Sequence, residues 1–247
     1  MKLHLLLITT FLLLTTVPVL AKDDVTKELM TSAGKTRVYY LYVPSTLKQG
    51  TPAPLIVTLH GSNRTGVTLV EKWKDLAKKE GISLAGPDAS NLQGWGSPQD
   101  GPDFLHDLVE SLKEKYSINP KRVYLFGHSS GAIFGLEMSL MESQYFAATA
   151  IHAGALLKDD MELIGMAKRK IPISIQVGDS DDYFPLKIVR ETRDALAKGG
   201  FTVELKEIAG HDHWYYDKAA QFNQTAWDFL KKVELEAEPK FQKYNWN

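Results

Sequence analysis

The 247-residue sequence contains no cysteine. A disulfide framework is therefore excluded, and so is any metal site built on thiolate ligands. The hydrophobic core alone must stabilise the fold, and a chain of this length can bury a core of sufficient size. The composition predicts a single globular domain rather than a small disulfide-stapled module.

The sequence also lacks a surplus of charge of either sign. It has 29 Lys and Arg residues and 30 Asp and Glu residues, which gives a formal net charge of −1. This balance provides no basic patch of the kind that nucleic acid or an anionic membrane would require. The chain has no internal repeat, low-complexity tract or linker. We therefore expect no nucleic-acid partner, and we expect a monomer.

The only long apolar run lies at the amino terminus. Residues 3–20 are almost entirely apolar or threonine, with Lys2 before them and Ala21 and several polar residues after them. A basic start, an apolar centre and a small final residue are typical of a secretory signal peptide. An uncleaved membrane anchor is the alternative, because the run approaches the length that spans a bilayer. The small residue and the polar residues after it favour cleavage. We expect a signal peptide at 1–21, a mature domain at 22–247, a secreted or periplasmic location and no membrane association after cleavage.

Past this run, strand and helix patterns alternate along the chain. Such alternation predicts an α/β fold with a mostly parallel, doubly wound sheet and helices on both faces. About twenty residues separate the strands near 147–151 and 173–177, which is too few for a separate lid domain. The predicted strands are 36–43, 54–59, 82–85, 123–126, 147–151, 173–177 and 202–208. The predicted helices are 67–79, 104–116, 132–140, 186–198 and 219–233, with a further helix between 151 and 173.

A Gly-x-Ser-x-Gly motif stands between a predicted strand and a predicted helix. It comprises Gly127, Ser129 and Gly131. In a nucleophile elbow the serine lies on a tight, strained turn, and side chains at the flanking glycines would collide with the neighbouring strand and helix. The motif therefore predicts Ser129 as a nucleophile. The N–H of Ser130, at the start of the helix, is placed to face an anion.

Candidates for the other catalytic groups follow the later strands. A serine nucleophile needs a base and an acid that orients the base, and in a doubly wound sheet both come from loops at the carboxyl ends of strands. After the strand at 173–177 the candidate acids are Asp179, Asp181 and Asp182, each of which could instead cap a turn. After the last strand the candidate bases are His211 and His213.

The loop after the strand at 54–59 supplies a second donor for a developing oxyanion. It reads His60-Gly61-Ser62, and the glycine lets the backbone approach the substrate closely. The N–H of Ser62 is therefore expected to act together with that of Ser130. Two tryptophans are candidates for the substrate pocket, because one lies between glycines in a loop and the other adjoins His213: Trp95 and Trp214.

These motifs together resemble the α/β-hydrolase esterases, and within them the secreted polyhydroxybutyrate-depolymerase and feruloyl-esterase group. The resemblance covers nearly all of the expected mature chain. It is carried by Leu59-His60-Gly61, the Trp95 loop, Asn119-Pro120-Lys121-Arg122-Val123-Tyr124, the Gly127-x-Ser129-x-Gly131 motif, Gly178-x-x-Asp181-x-x-x-Pro185 and the late histidine. It implies an α/β-hydrolase fold and a serine carboxylic-ester hydrolase that acts through an acyl-enzyme.

The resemblance also selects among the candidate residues. The family's acid corresponds to Asp181. The depolymerase-like group usually carries His-x-Trp, whereas this chain reads His211-Asp-His213-Trp. The segment 212–216 is more similar to the Asp-His-Ser-Tyr-Tyr of formylglutathione-hydrolase-type esterases, whose histidine is the base. This similarity favours His213 as the base, with His211 as the alternative, and the departure from the group's pattern weakens any transfer of substrate.

The implied chemistry needs neither a metal nor an organic cofactor. The expected substrates are small-molecule or polymer-borne esters of the feruloyl, acetyl or polyester type. Three other functions are considered. A metal hydrolase would use the His-x-His and the nearby aspartates, but no helical His-x-x-x-His accompanies them. A serine peptidase would use the same triad, and a silent binding protein could share the fold.

Overall fold

The computed structural model describes residues 23–47, 50–244 and 246. The expected signal peptide at 1–21 lies outside these residues. The elements in chain order are β1 (Thr26–Ser32), β2 (Lys35–Tyr42), β3 (Ala53–Leu59), α1 (Val67–Glu80), β4 (Ser83–Pro87), α2 (Pro102–Lys115), β5 (Ile118–His128), α3 (Ser130–Met141), β6 (Thr149–His152), a 3₁₀ turn (Lys158–Glu162), α4 (Leu163–Met166), β7 (Ile173–Gly178), α5 (Leu186–Lys198), β8 (Val203–Ile208) and α6 (Ala219–Leu230).

The eight strands form one sheet in the order β1-β2-β4-β3-β5-β6-β7-β8. Pairing is antiparallel between β1 and β2 and between β2 and β4. All other pairs are parallel, from β4 with β3 through to β7 with β8. The mostly parallel sheet and its flanking helices confirm the predicted fold class.

Apolar residues on both faces of the sheet explain why the central strands are buried. Along β5, Val123 and Leu125 enter one core cluster with α2, α3 and α5. Tyr124 and Phe126 enter the other cluster, with α1 and α6. Successive side chains of a strand point to opposite faces, so a continuous apolar run is what a strand covered on both sides requires. The two helical layers leave the carboxyl ends of the strands free for loops.

The structure differs from the sequence prediction in three elements. The edge strand β1 was not predicted, because its exposed and partly buried positions alternate and charged residues interrupt its apolar pattern. Strand β5 begins at Ile118, five residues before the apolar run. The helix expected between β6 and β7 is only the 3₁₀ turn and the single-turn α4. This short connection fits the expectation that no lid domain is inserted there.

Candidate active site

The turn between β5 and α3 holds Ser129 in a strained backbone conformation. Its φ is +58° and its ψ is −123°, a region that residues other than glycine rarely occupy. A Cβ on Gly127 would lie 2.2 Å from the carbonyl oxygen of Gly131, and one on Gly131 would lie 2.0 Å from that of Leu59. Both positions therefore exclude any side chain, and the tight turn directs the Ser129 hydroxyl into the cavity at the end of the sheet.

Three side chains from three loops form a hydrogen-bonded row. The Ser129 hydroxyl lies 2.9 Å from Nε2 of His213, and Nδ1 of the same ring lies 2.9 Å from Oδ2 of Asp181. A proton on Nδ1 satisfies both contacts, because Nδ1–H then donates to the carboxylate while Nε2 accepts from the hydroxyl. The rings of Tyr183 and Phe184 pack against the imidazole, with centroids 4.7 and 5.8 Å away. The imidazole of His213 is thus oriented by both hydrogen bonding and packing.

The environment of Asp181 favours its ionised form. Burial alone would raise its pKa, but hydrogen bonds from His213 and from the backbone N–H groups of Phe184 and Tyr183 outweigh burial, so the pKa is lowered. The two N–H groups each donate to Oδ1 at 2.9 Å. A carboxylate that accepts several hydrogen bonds keeps its charge, which makes it a strong acceptor for the imidazole Nδ1–H.

The other two candidate acids lie elsewhere. Asp179 accepts a hydrogen bond from the Gly210 N–H at 2.8 Å, so it braces the loop that carries the histidines. Asp182 is exposed and lines the cavity. Neither carboxylate is hydrogen-bonded to the ring of His213, whose Nδ1 is already engaged by Asp181.

The two expected oxyanion donors belong to backbone segments next to Ser129. The N–H of Ser130 is among the first in α3, and such groups have no intrahelical acceptor. The loop after β3 approaches closely, since a Cβ on Gly61 would lie 3.2 Å from the Cβ of Ser129. The Ser62 hydroxyl donates to the Gln93 carbonyl at 2.7 Å, so this side chain is held against the neighbouring loop.

Trp95 does not line the cavity, contrary to the expectation that it contacts substrate. Its Nε1–H donates to the carbonyl of His60 at 2.8 Å, and its ring stacks on Phe134 at 5.0 Å between centroids. The tryptophan therefore packs beneath the oxyanion loop and supports it. Its place between glycines, which suggested exposure, instead lets the loop fold the ring inward.

A buried carboxylate that the sequence analysis missed fixes the loop of Trp95. Asp100 is fully buried, pairs with Arg37 at 2.6 Å and accepts hydrogen bonds from the Ser90 N–H and the Gly96 N–H. These contacts join β2 to the loop on both sides of Trp95. The sequence gives no periodic signal for them, because the three partners lie 63, 10 and 4 positions from Asp100.

His211, the alternative base, is turned away from Ser129. It is buried, and its Nε2 lies 3.1 Å from Nε2 of His152, whose Nδ1 lies 3.2 Å from Nδ1 of His128. Burial is the main cause that lowers the pKa of His128 to about 3 and that of His152 to about 2, and it also lowers the pKa of His211. Burial thus favours the neutral form of all three rings, which form a hydrogen-bonded layer beneath the site. His152 contacts His211 through Nε2 and His128 through Nδ1. Among the described residues, no group of three side chains converges in a way that could hold a metal ion.

The cavity at Ser129 has a volume of about 530 Å³. Trp214 lines it as expected and is 44% exposed, and Tyr183 stands at its mouth with 75% exposure. Arg64 is the only lysine or arginine among the described residues that line it, and no sequence motif points to it. The remaining lining residues are Gly61, Ser62, Asn63, His128, Ser180, Asp182, Asp212, His213 and Tyr216.

Comparison with known proteins identifies the family of the chain. A family model described as phospholipase/carboxylesterase matches residues 102–233, which span α2 to the end of α6. A bifunctional acetylxylan esterase/xylanase from Neocallimastix patriciarum is 28% identical over 157 residues, covering 60% of this chain and 22% of that protein. A poly(3-hydroxyalkanoate) depolymerase C from Paucimonas lemoignei is 28% identical over 132 residues, covering 48% of this chain and 31% of that protein.

Solved structures share the fold. A ferulic acid esterase superposes with a TM-score of 0.72 at 15% identity, covering 85% of this chain and 98% of that one. At this identity the superposition shows the fold alone. The chain spans less than a third of the length of the two curated relatives above.

Proposed function

The chain belongs to the phospholipase/carboxylesterase family of the α/β-hydrolase fold, and from this we propose that it is a serine carboxylic-ester hydrolase in which Ser129 is the nucleophile, His213 the base and Asp181 the orienting acid. The proposal rests on one observation above all: the row from hydroxyl to imidazole to buried carboxylate, with 2.9 Å at each contact. No other pairing of the candidate residues gives the serine a base.

In the proposed reaction the Ser129 oxygen attacks the ester carbonyl while its proton passes to Nε2 of His213. The carbonyl oxygen gains the negative charge, and the N–H groups of Ser62 and Ser130 donate to it. On collapse of the intermediate, the imidazolium returns the proton to the departing alkoxide, and an acyl-serine remains. Water, deprotonated by the same imidazole, then releases the acid. The Asp181 carboxylate stabilises the imidazolium in both halves.

A covalent probe tests the nucleophile directly. A fluorophosphonate should add its mass to Ser129, and mass spectrometry of the digested protein locates the label. Ser129→Ala should stay folded, lose the label and lower turnover of p-nitrophenyl acetate by several orders of magnitude. Labelling of Ser130 or Ser62 instead would contradict the assignment.

The substrate class is proposed as a feruloyl, acetyl or polyester-type ester. A cavity of about 530 Å³ accommodates such an acyl group, and two exposed aromatic rings, Tyr183 and Trp214, border it. The named activities of the acetylxylan esterase and the depolymerase point in the same direction. A panel of ferulate, acetate and hydroxyalkanoate esters tests the proposal. Peptide p-nitroanilides in the same panel test for a peptidase, and no turnover of any of these compounds would indicate a silent binding protein.

Export is the remaining part of the proposal. Residues 1–21 are proposed as a cleaved signal peptide, with residues 22–247 as one domain that acts in the periplasm or outside the cell. No helix among the described residues is long and apolar enough to cross a membrane. Mass spectrometry of the exported protein should find Lys22 at its amino terminus, whereas an intact Met1 in that fraction would refute cleavage.

A further inference from the structure

Arg64 places a cation beside the nucleophile. Its guanidinium carbon lies 5.1 Å from the ring centroid of Tyr216 and 5.4 Å from that of Trp214. Among the described residues no carboxylate forms an ion pair with it within 4.0 Å, and none of its N–H groups donates to a protein acceptor. A guanidinium held over aromatic rings by cation–π attraction keeps its N–H donors available. The side chain is therefore held by two aromatic rings while its hydrogen-bonding capacity remains unused.

The backbone on both sides of Arg64 is fixed. The N–H of Asn63 donates to the Leu92 carbonyl at 2.6 Å, and the N–H of Gly66 donates to Oδ1 of Asp88 at 2.7 Å. The loop 61–66 also carries the oxyanion donor Ser62. The guanidinium consequently has a set position relative to the reacting carbonyl, which a specificity-determining group needs.

The planar edge of a guanidinium matches a carboxylate, which it can bind with two parallel hydrogen bonds. A phosphate monoester is a poorer match for this cavity, because it carries a charge of about −1.5 to −2 near neutral pH. Two exposed carboxylates, Asp182 and Asp212, line the same cavity and would repel a dianion more than a monoanion. The two carboxylates of the lining therefore disfavour a dianion more strongly than a monoanion, so a carboxylate is the better partner for Arg64.

We propose that Arg64 is a subsite for a carboxylate carried by the substrate, so that the protein prefers acidic esters such as the half-esters of dicarboxylic acids. As a preference in turnover, the inference rests on the proposed esterase function. The binding of a carboxylate by Arg64 does not depend on the esterase function, because the geometry of Arg64 is independent of the assignment of the base.

Turnover tests the preference through matched esters. One pair places the charge in the acyl group, with mono-4-nitrophenyl glutarate against 4-nitrophenyl pentanoate. The other pair places the charge in the leaving group, with 3-acetoxybenzoate against 3-acetoxybenzamide. The ratio of kcat/KM for acidic over neutral ester should be about tenfold in at least one pair, as expected for a charge-assisted hydrogen bond. In Arg64→Gln the ratio should fall to about one, mainly because KM for the acidic ester rises. In ~0.5 M salt the ratio for the wild-type protein should also become smaller.

Two variants serve as comparisons. Arg64→Lys keeps the charge without the planar fork, so it should retain part of the ratio. Arg193→Gln, which removes a partly exposed arginine that does not line the cavity, should leave the ratio unchanged. A wild-type ratio at or below one in both pairs overturns the proposal, and so does a ratio that Arg64→Gln leaves intact.

Calorimetry tests binding without turnover. Monomethyl glutarate is titrated into Ser129→Ala, with dimethyl glutarate as the neutral probe and methyl 4-phosphonobutanoate as the dianionic one. Kd for the carboxylate should rise about tenfold when Arg64→Gln is added. An unchanged Kd, or no binding of the carboxylate, refutes the subsite, and tighter binding of the phosphonate refutes the choice of carboxylate. If the carboxylate binds through Arg64 but neither ester of any pair is hydrolysed, the esterase proposal fails and the anion subsite stands.

Discussion

Substitution of the two histidines after β8 separates a catalytic from a structural role. Both belong to the loop that follows the last strand, only two positions apart. His213 reaches the Ser129 hydroxyl through Nε2 and Asp181 through Nδ1, at 2.9 Å each. His211 is 3% exposed, and its Nε2 faces Nε2 of His152 at 3.1 Å. The two alanine variants should therefore fail in different ways.

His213→Ala removes the imidazole that is hydrogen-bonded to the Ser129 hydroxyl. General-base catalysis contributes about 10²–10⁴-fold, and the loss of a triad member can cost more because the residues act as a unit. We expect kcat/KM to fall at least about 10⁴-fold while the thermal unfolding temperature changes little, since the ring is partly exposed. The Asp181 carboxylate retains its two backbone hydrogen bonds, which limits the effect on stability.

His211→Ala should act on stability instead. The substitution leaves a buried nitrogen of His152 without its partner, and an unsatisfied buried polar group costs about 1–3 kcal/mol. The packing of the ring against Phe222, at 4.8 Å between centroids, is lost as well. We expect a lower free energy of unfolding, with kcat/KM of the folded fraction reduced by about tenfold or less.

The assay combines two measurements on each variant. Urea unfolding gives the free energy of unfolding, and p-nitrophenyl ester hydrolysis gives kcat/KM. Hydrolysis should persist in the folded fraction of His211→Ala and be nearly lost in His213→Ala. If His211→Ala abolishes turnover and His213→Ala retains it, the base is His211 and the assignment from geometry is wrong.

Three further predictions address the acid, the elbow and the buried histidines. Asp181→Asn should leave a folded protein with turnover lowered by about 10³–10⁴-fold, because the imidazole loses its orienting carboxylate. Asp179→Asn should lower turnover by less than about tenfold. Equal losses of turnover in the two variants would contradict the assignment. Gly131→Ala should abolish the folded state, since its Cβ would lie 2.0 Å from the Leu59 carbonyl oxygen, and a folded, active variant seen by circular dichroism would show that the turn can relax. Burial lowers the pKa of His152 to about 2, whereas its pKa in the unfolded chain is about 6.5. Between these two values the unfolded chain binds a proton at His152 that the folded chain does not bind. The free energy of unfolding therefore falls as the pH falls. His152→Asn should flatten the slope of unfolding free energy between pH 6 and 4.5 by about 1.4 kcal/mol per pH unit, and an unchanged slope would mean that His152 takes up a proton in the fold.

The sequence by itself determined the features that depend on neighbouring residues. The elbow is predictable because its requirements are local. The strand is buried, glycine is its penultimate residue and the second residue of the helix, and a serine stands between the two elements. The parallel sheet follows from strands that are apolar on both faces and alternate with helices. The family resemblance selected Asp181 as the acid, because this residue stands between a strand and a proline at the family's spacing. In the structure Asp181 is hydrogen-bonded to His213.

Tertiary structure decided the features that depend on contacts between distant residues. Two histidines separated by one residue can face the nucleophile or the core, and the partner of His211, His152, is 59 positions away. Trp95 lies between glycines like an exposed loop residue, but the His60 carbonyl and the Phe134 ring draw it under the oxyanion loop. Arg64 gives no signal in the sequence, because its position over Trp214 exists only when the loops after β3 and β8 meet. Side-chain direction in loops is set by such long-range packing, which no local pattern of residues encodes.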